Sequence, residues 1–263
     1  MVNEVPTVAR LSIFPIKSLD RVDVEAVAVL KSGALKGDRT FALFDQPGHF
    51  VNGKRHDRIH RIRSQYDLQT QQVTLHLEDS DQVRTFHLEQ ERDRLATYLS
   101  DYFGFSVELK QNLEMGFPDD TDSPGPTIVS TATLTAIASW YPDLEVEAVR
   151  SRFRANIEID GVPAFWEDRL FGRAAEEVAF QIGAVQFRGI NPCQRCVVVT
   201  RDAQTGAVYA NFQKTFVAQR QVTLPDWAER SRFNHFFRLA INTRVPQTEV
   251  GKTIAIGDRL SLS

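Results

Sequence analysis

Short runs of Val, Ile, Thr, Phe and Leu, separated by turn residues, dominate the first half of the chain. Runs of this kind, bounded by Gly, Pro, Asn or Ser, are typical of β-strands. The predicted strands are residues 8–14, 22–30, 39–45, 73–77 and 84–88. Several short strands at this spacing predict a β-barrel or a β-sandwich.

One segment of the first half has helical periodicity instead. Residues 91–103 place Leu95, Leu99, Tyr102 and Phe103 on one face at a spacing of three to four residues. This spacing predicts an amphipathic helix that packs on the core.

A polar, turn-rich stretch at residues 115–126 marks a boundary, and we expect two domains, residues 1–115 and 116–263. Beyond it, residues 131–140 have a helical pattern, with Ser130 or Thr131 as the N-cap. Further strands are predicted at residues 155–159, 178–182, 185–189 and 197–201, with a C-terminal pair around Ile254 and Leu260. The predicted fold class is therefore mostly β, an α+β protein with a few helices and β-barrel domains.

Composition narrows the class of protein. The chain has 263 residues, 42% hydrophobic and 25% charged, which is typical of a globular protein. Its net charge of -3 argues against general nucleic-acid binding. It has no apolar run long enough to cross a membrane and no apolar core of a signal peptide near Met1. Because its two cysteines are close together rather than spread as a disulfide framework, we expect a cytoplasmic protein.

Those cysteines, Cys193 and Cys196, enclose Gln194 and Arg195. Arg195 would favour the thiolate of a neighbouring cysteine, and a thiolate suits a soft transition metal. Cys-x-x-Cys also occurs in thioredoxin-like redox sites, although a strand rather than a helix is predicted to follow here. A zinc site would need two more ligands, and the cysteines could also simply be buried. Local chemistry alone leaves these alternatives open.

The wider segment resembles the signature of the MOSC family, named for the C-terminal domain of molybdenum cofactor sulfurases. The residues that carry the resemblance are Cys193, Arg195, Cys196, Thr200, Asp202, Thr205 and Gly206. In that family the second cysteine binds molybdenum, which implies that Cys196 is both the metal ligand and the catalytic residue. Gln194 stands where the family often has Ser, so a backbone contact with the cofactor is expected at Gln194 and Arg195.

Two motifs near the N-terminus resemble the companion MOSC N-terminal β-barrel domain. They are Phe14-Pro15-Ile16-Lys17-Ser18 and Gly37-Asp38-Arg39. The resemblance implies this domain for residues 1–115 and a MOSC domain for residues 116–263. Lys17, Ser18 and Arg39 would bind the phosphate of a pterin cofactor, since Lys and Arg are natural phosphate partners.

A further match is Phe153-Arg154-Ala155-Asn156, which resembles a motif that opens a strand in MOSC domains. In a strand, Arg154 and Asn156 would point to one face. Arg154 would then contact the phosphate or a metal oxo group, and Asn156 the edge of the pterin. Ser123, at a loosely aligned position, is also assigned to cofactor binding.

The resemblance implies a function. It points to a molybdenum cofactor (Mo-molybdopterin) and to reduction of a small N-hydroxylated substrate, with N–O cleavage at a metal held by Cys196. Because no further cysteines are present for an iron–sulfur cluster, electrons would come from a separate ferredoxin or cytochrome b5 type protein. The alternatives are a non-catalytic cofactor carrier or delivery protein, and a sulfur-carrying protein with a persulfide on Cys193 or Cys196.

A basic cluster follows the second motif. Its members are Lys54, Arg55, Arg58, Arg61 and Arg63. Such a cluster fits a docking surface for an acidic electron-transfer protein, an entry path for an anionic cofactor, or a solvated loop. The six histidines are not spaced as metal ligands, and we expect them on the surface or in loops.

Overall fold

The computed structural model describes residues 5–78 and 82–262 of the chain. The strands within these ranges are β1 (Thr7–Ile13), β2 (Val22–Asp23), β3 (Ala26–Ala28), β4 (Phe41–Asp45), β5 (Ile62–Asp67), β6 (Gln72–Leu77), β7 (Val83–His87), β8 (Val107–Gln111), β9 (Ile128–Ser130), β10 (Ile157–Asp160), β11 (Val178–Ile182), β12 (Val185–Gln194), β13 (Arg238–Arg244), β14 (Thr253–Ala255) and β15 (Leu260–Leu262). The helices are α1 (Arg92–Phe103), α2 (Thr131–Ala138), α3 (Val146–Phe153) and α4 (Phe212–Val222). The predicted class, mostly β with a few helices, is confirmed.

An eight-stranded sheet carries most of the second half of the chain. Its strand order is β15-β11-β12-β13-β9-β10-β1-β2, and neighbours are antiparallel except for the parallel pair β9 and β10. Backbone hydrogen bonds of 2.8 Å join Val8 to Gly257 and Asp258, and Leu260 to Pro6. Because these bonds bring β1 next to the β15 edge, the sheet curves back on itself in the manner of a barrel.

A second hydrophobic core lies in the first half of the chain. Strands β5, β6 and β7 form one small sheet, β4 and β8 form another, and α1 packs against them through Leu95 and Leu99. The division at residue 115 stays a prediction, and strand pairing crosses it, since β1 pairs with β10 and β3 with β14.

Local chemistry explains where the helices begin and end. Ser130 is the N-cap of α2, because its hydroxyl accepts a hydrogen bond from the Thr133 amide at 3.1 Å. Helix α1 ends at Gly104 and α3 ends at Arg154, both in the left-handed backbone region.

Some predicted elements are wrong. Residues 197–201 do not form a strand, since Val197–Thr200 is a 3-10 helix held by the Thr200 hydroxyl, which donates to the Val197 carbonyl at 2.7 Å. The strand predicted from residue 155 begins at Ile157, because Arg154 caps α3. The two C-terminal strands predicted around Ile254 and Leu260 are present as β14 and β15, which pair with β3 and β11. Strands β5, β8, β9 and β13 and helices α3 and α4 were not predicted.

Within the described ranges, no helix combines the length and the apolar character that a membrane span requires.

Candidate functional site

A cleft of about 1210 Å³ lies where the loops of the two halves meet. Its walls come from the loop after β1, the segment before β5, residues 118–127, the end of α3, and the segment that joins β12 to the following 3-10 helix. All nine residues assigned to the site from the sequence line it: Lys17, Ser18, Arg39, Ser123, Arg154, Asn156, Gln194, Arg195 and Cys196. Residues that lie far apart along the chain thus share one surface.

The cleft is strongly positive although the chain is acidic. Among the described residues, eleven Lys and Arg side chains line it against four Asp, a net of +7, whereas the whole chain carries -3. The positive members are Lys17, Arg21, Arg39, Lys54, Arg63, Arg150, Arg152, Arg154, Arg195, Arg201 and Arg238. A cleft lined by one sign of charge concentrates ligands of the opposite sign, so an anion fits this site.

Three of these cations, Lys17, Arg39 and Arg154, lie close together near Phe14 and Phe50. The guanidinium carbons of Arg154 and Arg39 lie 4.0 and 5.2 Å from the centre of the Phe14 ring. Lys17 Nζ donates to Asp119 Oδ1 at 2.6 Å and to the Phe117 carbonyl at 2.9 Å. Burial lowers the pKa of Lys17, with Asp119 opposing the shift. Burial, with a contribution from Arg39, also lowers the pKa of Arg154 to about 10. Three cations therefore lie close to the carboxylates of Asp119 and Asp38.

The backbone holds these side chains in uncommon conformations. Ser18, Arg39 and Arg154 have φ values of +74°, +48° and +54°. A residue other than glycine in this region stores strain and persists only where surrounding contacts fix it, typically at functional sites. That three motif residues share this property supports a functional reason for their placement.

Asp38 and Gly116 provide such fixing contacts. Asp38 accepts a hydrogen bond from the Phe14 amide at 2.9 Å and also bonds the Arg39 guanidinium. Gly116 has φ +67°, and a Cβ there would lie 2.6 Å from the Asp38 carbonyl oxygen. Because glycine allows this close approach, the 116–119 loop reaches Lys17.

The cysteine segment lies at the end of β12. Gln194 is the last strand residue and is exposed, and Cys196 precedes the 3-10 helix as its N-cap. Both thiols are free and partly buried, and Cys193 Sγ lies 3.7 Å from the Gln194 carbonyl oxygen. The Cys196 thiol is thus an unbridged sulfur on the wall of a cationic cleft.

Arg195 contacts backbone carbonyls rather than a carboxylate. Its Nε donates to the Leu239 carbonyl at 2.9 Å and its Nη1 to the Phe153 carbonyl at 3.1 Å. Its Nη2 is buried and has no partner among the described residues. The Arg195 side chain therefore links the cysteine segment to the end of α3 and to β13, and both of its acceptors are neutral carbonyls.

The turn after this segment explains the Asp-x-x-Thr-Gly motif. Asp202 Oδ1 accepts hydrogen bonds from the Gln204 amide at 3.0 Å and the Thr205 amide at 2.9 Å. Gly206 completes the turn with φ +74°. The motif thus fixes the loop that runs along the cleft beyond Cys196.

Asn156 and Ser123 are nearly fully buried on the cleft wall. Asn156 Nδ2 donates to the Ser12 carbonyl at 3.1 Å, and its Oδ1 accepts from the Thr127 amide at 3.2 Å. The side chain is therefore a link between β1 and residue 127, and it does not alternate with Arg154 along a strand as the sequence predicted. Ser123 lies in a turn in which its own backbone amide donates to Asp120 Oδ1 at 3.2 Å.

His60 is the histidine that the sequence placed wrongly. It is 8% exposed and lines the cleft. Burial lowers its pKa to about 4, and the neighbouring Arg201, Arg154 and Arg63 add to the shift, so the ring is neutral at pH 7. It lies in the basic cluster, of which Lys54 and Arg63 line the cleft.

Several lining residues escaped sequence reasoning, namely Asp119, His60, Arg152, Arg201 and Arg238. Asp119 lies in the predicted boundary stretch. Arg152 and Arg201 stand next to motif residues without a role of their own in the motif, and Arg238 lies outside the motifs. Only the pairing of distant strands and the packing of α3 bring them to the cleft.

Glu167 and Asp168, which had no predicted role, lie outside the cleft lining. Asp168 forms a buried ion pair with Arg220. Glu167 accepts a hydrogen bond from the Thr133 hydroxyl at 3.0 Å, and burial, with repulsion from Asp168, raises its pKa to about 7. These residues belong to the core.

The cleft contains buried guanidinium nitrogens without acceptors, and these bear on whether an anionic cofactor fits. In the part of the chain that the structure describes, Nε and Nη1 of Arg152 and Nε of Arg201 are buried without acceptors. Buried donors without acceptors cost free energy that an entering anion would recover. A phosphate-bearing cofactor therefore fits the cleft, because its anionic group can supply the missing acceptors. Among the described residues, no group of three or more His, Cys, Asp and Glu side chains could hold a metal ion.

Family models match most of the chain. The MOSC N-terminal beta barrel domain matches residues 5–106, and the MOSC domain matches residues 127–261. The chain belongs to the MOSC family.

The chain is similar to mitochondrial amidoxime reducing component 2 of Macaca fascicularis, with 26% identity over 246 residues that cover 78% of this chain and 69% of the relative. The human protein of that name is 25% identical over 248 residues, with the same two coverages of 78% and 69%. A molybdenum cofactor sulfurase of Caenorhabditis briggsae is 23% identical over 226 residues, covering 76% of this chain and 30% of the sulfurase. Among solved structures, the YUAD protein from Bacillus subtilis has a TM-score of 0.40 and 12% identity, covering 97% of this chain and 94% of that one.

Proposed function

We propose that this chain binds a molybdenum cofactor in the cleft and reduces N-hydroxylated compounds. The observation that carries the proposal is that the nine motif residues, Cys196 among them, line one cleft with a net charge of +7. The amidoxime reducing components among its relatives support the choice of substrate class.

The residues divide the binding task. Lys17, Arg39 and Arg154 would hold the phosphate of the cofactor, since both guanidinium groups stack on Phe14 and lie close enough to Lys17 to lower its pKa. Ser18 also lines the cleft, and its hydroxyl would donate to the phosphate. The phosphate would replace Asp119 as the partner of Lys17. Arg195 would fix the cysteine segment through its two carbonyl bonds.

Cys196 would hold the metal through its thiolate. A thiolate is the protein ligand that soft transition metals prefer. Arg195 fixes the cysteine segment because it donates to carbonyls at the end of α3 and in β13. When bound, the cofactor supplies the two-electron chemistry that cleaves the N–O bond. The balanced reaction converts R–NH–OH, two electrons and two protons into R–NH2 and water. The electrons would come from a separate ferredoxin or cytochrome b5 type protein.

The test is a reduction assay on protein made in a host that synthesises the cofactor. Loaded protein, reduced by a one-electron donor, should be reoxidised by a hydroxylamine or an amidoxime with one amine or amidine formed per two electrons. Turnover with NADH and no added electron-transfer protein would contradict the requirement for a separate donor. A loaded and reduced protein that transfers no electrons to these compounds would contradict the reductase proposal.

A second candidate function is cofactor or sulfur carriage. The similarity to molybdenum cofactor sulfurases favours it, although the chain spans only 30% of the C. briggsae relative. A carrier would release its cofactor to an apo-enzyme on mixing, and a sulfur carrier would show a persulfide on Cys193 or Cys196. A reductase would retain its cofactor and carry no persulfide on either cysteine.

A further inference from the structure

Some cations of the cleft have no carboxylate partner. Carboxylates outside the lining pair with Arg21, Arg39, Arg150 and Arg152, whereas among the described residues Arg154, Arg195 and Arg238 have no carboxylate oxygen within 4.0 Å. A cofactor phosphate carries about -1.5 to -2 at pH 7. Lys17, Arg39 and Arg154 already form the group assigned to that phosphate. Several cations therefore remain on other parts of the wall, and one of them lies next to the cysteine segment.

That cation is Arg238, the first residue of β13. The register pairs it with Gln194, and the Arg195 amide donates to the Phe237 carbonyl at 3.0 Å. Residues 237–239 therefore run alongside the segment that ends at Cys196. The Arg238 side chain contacts the Pro192 carbonyl, one residue before Cys193, so Arg238 lies nearer to Cys193 along the segment than to Cys196.

The Arg238 side chain is fixed but not neutralised. Its Nη1 donates to the Pro192 carbonyl at 2.9 Å and its Nη2 to Asn234 Oδ1 at 2.8 Å. In the described part of the chain, no carboxylate oxygen lies within 4.0 Å of it, and its Nε has no acceptor. The residue is partly exposed on the cleft wall, so an incoming anion can reach it.

We propose that Arg238 is a specificity-determining residue that binds an anionic group of the substrate, so that the preferred substrates are N-hydroxylated compounds bearing a carboxylate or a phosphate. A guanidinium held in place by two neutral acceptors binds such a group with little loss of side-chain entropy. This inference rests on the proposed reductase function, because it names the class of compound that the same cleft accepts.

The test compares benzamidoxime with its para-carboxylate in binding and in turnover by the cofactor-loaded protein. Wild type should bind and reduce the carboxylate with about a tenfold advantage in Kd and in kcat/KM, which corresponds to about 1.4 kcal/mol. Arg238→Gln should bring the two compounds within about twofold of each other. Arg238→Lys, which keeps the charge, should retain part of the preference.

Arg244→Gln is the matched control. Arg244 lies at the other end of β13, is exposed, pairs with Glu177 and does not line the cleft. It should leave the preference unchanged.

The outcomes separate the two proposals. A wild type without a preference for the carboxylate, or an Arg238→Gln variant that keeps the preference in full, would overturn the role of Arg238 while reduction of both compounds left the reductase function standing. Tighter binding of the carboxylate that depends on Arg238, with no reduction of either compound, would support the anion site and contradict the reductase function.

Discussion

The competition between Asp119 and an entering phosphate makes a prediction that needs no cofactor. Asp119 is the carboxylate that Lys17 contacts, at 2.6 Å, and the side chain of Lys17 is 7% exposed whereas that of Asp119 is 79% exposed. Attraction by Lys17 and Arg39 outweighs desolvation and lowers the pKa of Asp119 to about 2, so the carboxylate is charged at neutral pH. An anion that binds Lys17 must displace it.

Asp119→Asn removes the competitor. A hydrogen bond to a charged group contributes about 1.5–3 kcal/mol, but exposed ion pairs contribute about 0–1 kcal/mol because solvent screens them. With one partner exposed, we expect a loss of about 1 kcal/mol of stability, or about 2–4 °C in Tm. The freed Lys17 should raise the affinity for inorganic phosphate about fivefold to tenfold, in keeping with about 1.4 kcal/mol per factor of ten.

Titration calorimetry with inorganic phosphate and thermal unfolding in phosphate-free buffer, both on cofactor-free protein, measure these effects. Asp122→Asn is the matched control, since Asp122 is exposed and lies outside the cleft lining. It should change neither quantity. An Asp119→Asn variant with unchanged or weaker phosphate binding would refute the reasoning that the carboxylate occupies the anion position.

Two core residues give further predictions. The raised pKa of Glu167, about 7 against 4.5, means that its contribution to stability is complete below pH 4.5 and is lost as the pH rises through 7. Glu167→Gln should therefore be about 3 to 3.5 kcal/mol more stable than wild type at pH 8, on the basis of 1.36 kcal/mol per pKa unit, and gain less than about 1 kcal/mol at pH 5. Urea unfolding at both pH values checks this, and equal stability of the two proteins at pH 8 would contradict it. Asn156→Ala should lose about 1–3 kcal/mol, because it leaves the buried Ser12 carbonyl without its side-chain donor. An unchanged urea midpoint would argue against that structural link.

Sequence patterns predicted the elements whose periodicity is regular. Strands β1, β6 and β11 and helices α1 and α2 lie close to their predicted bounds, because alternation or helical spacing there matches burial. The β-branched run Val197–Thr200 is the reason why a strand was wrongly predicted at residues 197–201. β-branched residues favour a strand only where a partner strand is available, and here local hydrogen bonds close a 3-10 helix instead.

The motifs predicted which residues share the cleft, but not their geometry. Ser18, Arg39 and Arg154 adopt left-handed backbone conformations that no propensity scale assigns to Ser or Arg. The partner of Lys17, Asp119, lies 102 positions along the chain, and Arg238 reaches the cysteine segment only through the pairing of β12 with β13. Such contacts depend on long-range packing, which a single sequence does not encode in a local pattern.

Metal analysis of the cysteine variants tests the central claim, that Cys196 holds a molybdenum cofactor in this cleft, most directly. Wild type, Cys196→Ala and Cys193→Ala would be purified from a host that synthesises the cofactor, and molybdenum measured per folded chain, with Tm as the check on folding. We expect Cys196→Ala to lose most of its molybdenum and Cys193→Ala to retain it. Full molybdenum in Cys196→Ala together with its loss in Cys193→Ala would contradict the assignment.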